Sequence, residues 1–466
     1  MNISPITLSF SSLSRKPVVA DFSGGHLSSD GGLLLLAALD RQLGLTDGFS
    51  ACLKDPRDPA RVDHTQLELL RQRIYQIACG YEDANDAATL RSDPLFKTAV
   101  GRLPESGPPL GSQPTLSRLE NRVTKKELLR LSQFLAEHFV RRHRSEPVVR
   151  VVIDMDPTED PTHGQQELTF YNHHYRTHCY LSLLVYATLL VEDGTGGLRE
   201  VARQELVAAV LRPANRDAAF RARAVLKRIE GLVREAWPEA QVLVRADGGF
   251  ARPELYEYCE AASIGYCIGL PKNAVLQRRT LPWLGDAEAA YRSQPEPAPG
   301  ETRAPQRAFG MFLYQAGSWK KERLVVCKAE VLPQGPNMRW VVTHRLPAEG
   351  NEPQAQYGFY CERGDPENRI KEYKCDLRAD KTSCQRFFAN QFRLLLAAAA
   401  YVLFQSARAL LAATELARAQ VSTLQVKLIK VAARVRESHR RVYVQLASGY
   451  PWQRLWARFV AAIDSS

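Results

Sequence analysis

At Val148 the hydrophobic period of the chain changes, and no other feature limits its fold as strongly. Ahead of that point apolar residues recur at spacings of three and four. After it, "VVRVVIDMD" is β-branched, alternates at period two and ends in two acids, which predicts a buried strand delivering carboxylates at its C-terminal edge. Helical segments followed by strands, and then by strands alternating with helices, predict an α/β core with mixed pairing.

The stretch before Val148 reads as an all-helical unit. "SSDGGLLLLAALDRQL" offers Ser and Asp caps ahead of an apolar run, and "HTQLELLRQRIYQIACGY" stops at Gly80. "TKKELLRLSQFLAEHFVRRH" repeats the pattern after the linker "PESGPPLGSQP" (104–114). Arg71, Arg73, Arg91 and Arg118 on this unit suit a DNA-docking face or a plain surface equally well.

Beyond Val148, "HCYLSLLVYATLLVED" (178–193) has the length of two paired strands or of one strand running into a turn. Helices over 216–237 and in "RPELYEYCEAA" separate the strands "QVLVRADGGF" and "GYCIGLP". A Pro-rich stretch, "SQPEPAPGETRAPQ", precedes the strands "RLVVCKAEVLP" and "MRWVVTHR", which read as a β-rich insertion, and a long apolar helix follows at 383–417. The expected divisions are a helical DNA-binding domain at 1–145, a catalytic core at 146–275 and 356–418, the insertion at 276–355, and a basic C-terminal region at 419–466.

Charge narrows the partners. The chain carries a formal +11 with a pI near 9.2, which favours a polyanion. From Val421 to Ser466, eight Lys/Arg, Arg440 and Arg441 among them, face only Glu437 and Asp464. Interleaved Tyr443, Tyr450, Trp452 and Trp456 suit phosphate contact with some stacking. Nine scattered cysteines without a CxxC pair argue against a disulfide framework or a zinc ribbon and fit a reducing compartment. No charged-then-apolar segment opens the chain, and its longest apolar run (394–404) is short of the roughly 20 residues of a membrane span. A cytoplasmic, nucleoid-associated protein is the expectation, with no membrane partner.

Acids at three places stand out. Asp154 and Asp156 lie two apart and so share one face of a strand, a costly arrangement unless a cation sits there. Asp247 ends a second strand ahead of a Gly-Gly turn. Glu367 follows Asp365-Pro366, which predicts a cap and a first helical turn, with Lys371 and Lys374 on the same face as Glu367. Carboxylates from two strand ends and a helix suit Mg²⁺-assisted phosphoryl transfer better than a hydrolase triad. His163, His173, His174 and His178 form a second cluster, but "LTFYNHHYRTHCYLSLLVY" reads as strand or hairpin rather than as a zinc-binding helix.

These residues resemble the DDE transposases of bacterial insertion sequences, which have a ribonuclease-H-like catalytic core. Tyr360, Arg363, Glu367 and Lys374 match the Tyr-x2-Arg-x3-Glu-x6-Lys signature of one branch. Asp156-Pro157-Thr158 matches its Asp-x-Thr, and "RADGGF" its second acid. "FSGGHLSSDGG", "GYEDANDAATLRSDP" and "TLSRLENR" extend the likeness through the N-terminal region. The resemblance implies a metal-binding triad of Asp156, Asp247 and Glu367, with Asp154 as the alternative first acid and Glu372 a weaker substitute for Glu367. It implies two Mg²⁺ ions, for which Mn²⁺ can substitute. Arg363 and Lys374 would contact DNA phosphates, Tyr360 would support them, and Trp340 would stack on a flipped base; Lys371, on the face of Glu367, is a further candidate for DNA contact. The implied partners are double-stranded DNA, as terminal inverted repeats and as target, and a second copy of the chain. A nuclease that cuts without joining, and a catalytically inactive DNA-binding relic, are the alternative functions.

Overall fold

The computed structural model describes residues 6–10, 15–298, 300–346 and 352–465. Pro299 in the Pro-rich stretch and residues 347–351 of the expected insertion lie outside them. Short strands β1 (Leu8–Phe10), β2 (Val18–Ala20) and β3 (Leu27–Ser28) precede helices α1 (Leu33–Leu43), α2 (Leu45–Ala51), α3 (Gln66–Ala78), α4 (Ala87–Leu90), α5 (Pro94–Val100), α6 (Gln113–Asn121) and α7 (Lys125–Arg142). Strands β4 (Val148–Pro161), β5 (Phe170–Asn172), β6 (Thr177–Glu192) and β7 (Leu198–Val210) follow. Next come α8 (Ala222–Ala236), β8 (Gln241–Ala246), α9 (Pro253–Ala261), β9 (Gly265–Leu270) and α10 (Ala274–Arg292). Strands β10 (Gln306–Tyr314), β11 (Arg323–Leu332) and β12 (Gly335–His344) lead to α11 (Pro353–Cys361), α12 (Gly364–Lys371) and α13 (Phe387–Leu410). The chain ends with α14 (Val421–Leu424), β13 (Ala433–Glu437), β14 (Val442–Leu446) and α15 (Gln453–Ser465).

Two compact units form. One comprises Leu128–Lys374 and Asp380–Leu395. Its nine-stranded sheet runs β10-β11-β12-β9-β8-β4-β6-β5, with β7 also on β6. Only β4–β8 and β8–β9 pair in parallel. Helices α8 and α9 are the crossovers that parallel neighbours require. Three antiparallel strands (β7, β6, β4) continued by two parallel ones (β8, β9) make a ribonuclease-H-like mixed sheet, as expected. The residues 178–193 form one strand, β6, rather than two. Strand β4 runs past its acids to Pro161. Beyond Met155 it has β6 alone as partner, so Pro157 and Pro161 sit where a lost donor is tolerated. Strands β10–β12 are not a separate layer: β12 pairs with β9 and extends the same sheet.

The core of this unit lies between sheet and helices. Val151, Ile153 and Met155 of β4, and Val242 and Val244 of β8, pack with Ala222, Leu226, Ile229 and Val233 of α8. The helical residues are spaced by three or four, so one stripe of α8 is apolar and buried.

The other unit comprises Met1–Glu127, Cys375–Ala379 and Leu396–Ser466. A capping box starts α3: the Thr65 side chain accepts from Glu68 N–H, and Glu68 accepts in return from Thr65 N–H. The three-stranded sheet β14-β13-β3 joins the two ends of the chain. Gly32 N–H donates to the Ile429 carbonyl at 3.0 Å. A Cβ at Gly32 would lie 1.8 Å from the Leu428 carbonyl oxygen, so only glycine permits that approach. Arg73, read from the sequence as a surface residue, is instead buried, with Nε 2.8 Å from Glu120. Arg71 pairs with Asp47 at 2.9 Å. Helix α13 is 24 residues long and apolar enough by composition to cross a membrane, yet most of it is buried within the protein.

Candidate active site

Strand register determines where the first two acids meet. In the parallel β4–β8 ladder Asp154 lies beside Arg245 and Met155 beside Ala246. One step past that last pair stand Asp156 and Asp247. Each lies two residues past a member of the Asp154–Arg245 pair, whose side chains bond to each other, and residues two apart share a face, so both acids follow that face. Asp247 Oδ1 accepts from Gly249 N–H at 2.8 Å, which caps a single 3-10 turn, Gly248–Phe250, and fixes the acid at the strand end.

Glu367 arrives on α12. The helix begins at Gly364, ahead of the Asp365-Pro366 start expected from sequence, and the Asp365 side chain lies outside the described atoms. Pro366 is tolerated because first-turn N–H groups have no intrahelical acceptor. Tyr360 sits on α11, and Lys374 on a π-helical turn, Glu372–Asp376. Tyr360, Glu367 and Lys374 thus sit on three successive helical pieces, with Arg363 in the turn ahead of α12.

Arg363 joins these parts. Its Nη1 donates to Asp156 Oδ2 at 2.7 Å, and its Nη2 stands 3.4 Å from Glu367 Oε1. Tyr360 lies against the turn that carries Asp247. A Cβ added to Gly269 would be 2.8 Å from the Tyr360 hydroxyl and 2.9 Å from Gly248 N. Gly269 therefore leaves the space that ring and turn share. Sequence reading missed this glycine, which nothing in "GYCIGLP" marks.

Burial pushes the Asp156 carboxyl up to about 7; Arg363 opposes the shift, while Asp247, Glu367 and Asp154 add to it. For Arg363, burial works against the charge, but Asp156, Tyr360, Asp247 and Glu367 together outweigh it and raise the guanidinium. All three acids are therefore felt at one place. Glu367 remains the open side, its side chain 65% exposed.

Asp154 has a different partner. Arg245 holds it through two bonds, Nε–Oδ1 at 2.7 Å and Nη2–Oδ2 at 2.9 Å, and reaches Glu362 at 2.7 Å. The arginine just before Ala246 and Asp247 in "RADGGF" was the available signal. Glu372 is buried and bonded to Arg369 at 3.0 Å.

The cationic and aromatic residues divide. Lys374 Nζ meets Glu159 Oε1 at 3.1 Å on β4, and Lys371 is exposed. Trp340 does not present a stacking face: it is 3% exposed, packs in the sheet core, and donates its indole N–H to Thr280 Oγ1 at 2.8 Å. Its expected base-stacking role is corrected on that ground. Arg440 and Arg441 lie exposed in the other unit, in the turn between β13 and β14. Of the histidine cluster, His173, His174 and His178 fall on the β5–β6 hairpin, where His173 and His178 contact the Tyr171 ring, while His163 lies in the loop after β4. All nine cysteines are free thiols.

Hard oxygen donors with a positive charge already among them fit a divalent cation by donor chemistry. As folded, the carboxylates are gathered on a guanidinium, and among the described residues no three Asp, Glu, His or Cys groups stand where they could share a metal ion.

Among curated proteins none matches the chain closely enough to serve as a relative. A family model described as "Transposase DDE domain group 1" matches residues 10–466. The match spans both compact units, and the chain belongs to this family of transposases, enzymes of phosphoryl transfer on DNA.

Proposed function

We propose that this transposase cuts DNA at the ends of an insertion sequence and joins the freed 3′-hydroxyl to target DNA, with Asp156, Asp247 and Glu367 as its metal-binding acids. One observation carries the reading: Arg363 bridges Asp156 and Glu367, residues 211 positions apart, beside Asp247. Three carboxylates from remote segments around one cation, at the end of a parallel strand pair, have no evident purpose in stability alone.

Asp156, Asp247 and Glu367 would hold Mg²⁺, or Mn²⁺ in its place, as two ions. Bound there, the ions would supply Lewis-acid stabilisation of the attacking and leaving oxygens. The protein's own residues do the rest. Asp156, largely buried, presents its carboxylate from a fixed strand. Asp247 is oriented by Gly249 N–H. Glu367, on the exposed helix, is the ligand with freedom to adjust. Arg363 neutralises the acids before substrate arrives, and its planar donor fork suits a phosphate once the acids turn to a metal. Lys374 and Lys371 present further positive charge along the same helical run, and Tyr360 holds Arg363 by its ring, 5.7 Å from the guanidinium carbon. Arg440 and Arg441 supply further phosphate contacts. Cutting paired terminal inverted repeats implies a homodimer on DNA, in the cytoplasm and associated with the nucleoid.

The test is incubation with supercoiled plasmid carrying the element's own ends, in Mg²⁺ or Mn²⁺, beside the Glu367→Gln variant. Cleavage at the ends by the wild type and none by the variant is expected. A pre-cut end with a free 3′-hydroxyl should become joined to target. Cleavage without joining would reduce the activity to that of a nuclease.

A further inference from the structure

The loop between β7 and α8 contains a buried charge that the chemistry just described leaves unused. Arg212 is 1% exposed. Its Nε donates to the Leu181 carbonyl at 2.8 Å, and its Nη2 stands 3.5 Å from the Ser182 carbonyl. Its Nη1 donates to the carbonyls of Ala218 and Phe220 at 2.5 and 3.0 Å. Neutral oxygens hold the whole fork, and no carboxylate bonds to it among the described residues. A guanidinium without a counter-ion is costly to bury, and apolar side chains commonly fill such space at no loss of stability. Packing alone does not explain it.

Its bonds join two segments beside the acids. Leu181 and Ser182 lie on β6, opposite Glu159 and Thr158 of the strand that carries Asp156. Ala218 and Phe220 lie in the loop, and Ala218 meets the turn after Asp247. A Cβ added to Gly249 would be 2.7 Å from Ala218 Cβ and 3.0 Å from Asp247 Oδ1. The loop therefore abuts the residue whose N–H orients Asp247. Burial presses the Arg212 guanidinium down to about 10, while Asp217, Tyr175 and Asp247 oppose that fall, in keeping with an acid close by. A second tie between loop and turn is weak: Arg252 and Asp217 stand 3.9 Å apart, and both side chains are about half exposed.

We propose that Arg212 is a positioning residue for Asp247: its fork fixes the loop to β6, and Ala218 then backs the Gly248–Phe250 turn so that the carboxylate keeps its place. Lysine does not replace it, because a single ammonium cannot span both pairs of carbonyls. Support of this kind holds a ligand's geometry without touching the ion. The consequence for ion binding rests on Asp247 being a metal-binding acid; the anchoring of the turn does not.

Two measurements on the full-length protein keep these questions apart. Hydrogen exchange without metal reads the turn, where the Gly249 and Phe250 amides donate to Asp247. In Arg212→Lys both should exchange about tenfold faster, while the amides of Val242 to Val244 in β8 keep their protection. Ala218→Gly preserves the backbone carbonyl that Arg212 uses and should speed the same two amides by a smaller factor. Calorimetric titration with Mn²⁺ reads the site: affinity should fall about tenfold in Arg212→Lys, and kcat for end cleavage should drop while KM for DNA holds. Protection of the turn equal to wild type in both variants would overturn the positioning role and leave the acid triad intact. Faster exchange spread evenly over the sheet would also overturn it, since that marks a merely structural arginine. Faster exchange confined to the turn, in a protein whose wild type binds no Mn²⁺, would uphold the anchor and overturn the metal-binding reading of Asp247.

Discussion

Arg363 Nη1 stands 2.7 Å from Asp156 Oδ2, across 207 residues of sequence. A guanidinium therefore neutralises the buried acid where the proposed mechanism needs a divalent ion. Cation and carboxylate are matched before any substrate arrives, and several expectations follow from that pairing.

Removing the guanidinium should weaken the apo fold and strengthen ion binding together. Arg363→Gln leaves Asp156 buried without its partner, a change that costs about 3–5 kcal/mol when such pairs are broken. The variant should melt lower than wild type without metal, and Mn²⁺ should raise its melting temperature by more than it raises the wild type's. Equal Mn²⁺ shifts would show that arginine and ion do not compete.

The choice between the two acids of β4 is open to a direct comparison. Asp154→Asn leaves Arg245, 4% exposed, with Glu362 as its remaining carboxylate, so the penalty should fall on stability. Asp156→Asn should retain the fold and lose the Mn²⁺-dependent thermal shift. If Asp154→Asn abolished that shift while Asp156→Asn kept it, the assignment would reverse.

Trp340 tests a role corrected by the structure. Trp340→Phe gives up the bond to Thr280 and should cost on the order of 1 kcal/mol in denaturant melts. Trp340→Ala should cost about 3–5 kcal/mol. Affinity for a duplex with an unpaired end base should not change in Trp340→Phe; a selective loss there would restore the stacking role.

Gly269 should prove intolerant of a methyl group. Gly269→Ala drives a Cβ to 2.8 Å from the Tyr360 hydroxyl, and overpacking of this kind costs about 1–3 kcal/mol. End cleavage should drop, and adding Tyr360→Phe should recover part of it by removing the hydroxyl. No recovery would place the strain on the Asp247–Gly248 backbone instead.

Acid should unfold the sheet-bearing unit by way of Glu205. Burial alone would raise this carboxyl, but Arg142 and His143 outweigh it and hold it down to about 2. A folded value below the unfolded one, near 4.3, means that the native state binds fewer protons, so stability rises with pH. The contribution is complete above roughly pH 5 and is lost as pH falls from there through about 2. Glu205→Gln should be less stable than wild type at pH 7 and should show a shallower loss of stability between pH 5 and 3.

Much of the site was legible because local signals carry it. Period-two alternation announced the strand of Asp156, and Asp365-Pro366 announced the helix of Glu367, which begins at Gly364. What escaped were facts about neighbours. Arg73 looks like any surface arginine until Glu120, 47 residues away, is folded beside it. Trp340 in an alternating strand has two possible faces, and only the packing of α10 behind it decides that Thr280 takes its N–H. Nothing in the β-rich segment states that β12 will pair with β9 and so extend the core sheet.

From its sequence alone this chain was determined to be an α/β protein with acids at strand ends, a basic C-terminal region and a helical N-terminal stretch, because periodicity, capping and charge are properties of neighbouring residues. The tertiary structure alone decided that Asp156 and Asp247 meet one step past the β4–β8 ladder, that Arg245 takes Asp154, and that Arg363 draws Glu367 in. Those outcomes depend on strand register and on competition for charge between segments far apart along the chain, and both are settled only when the sheet closes.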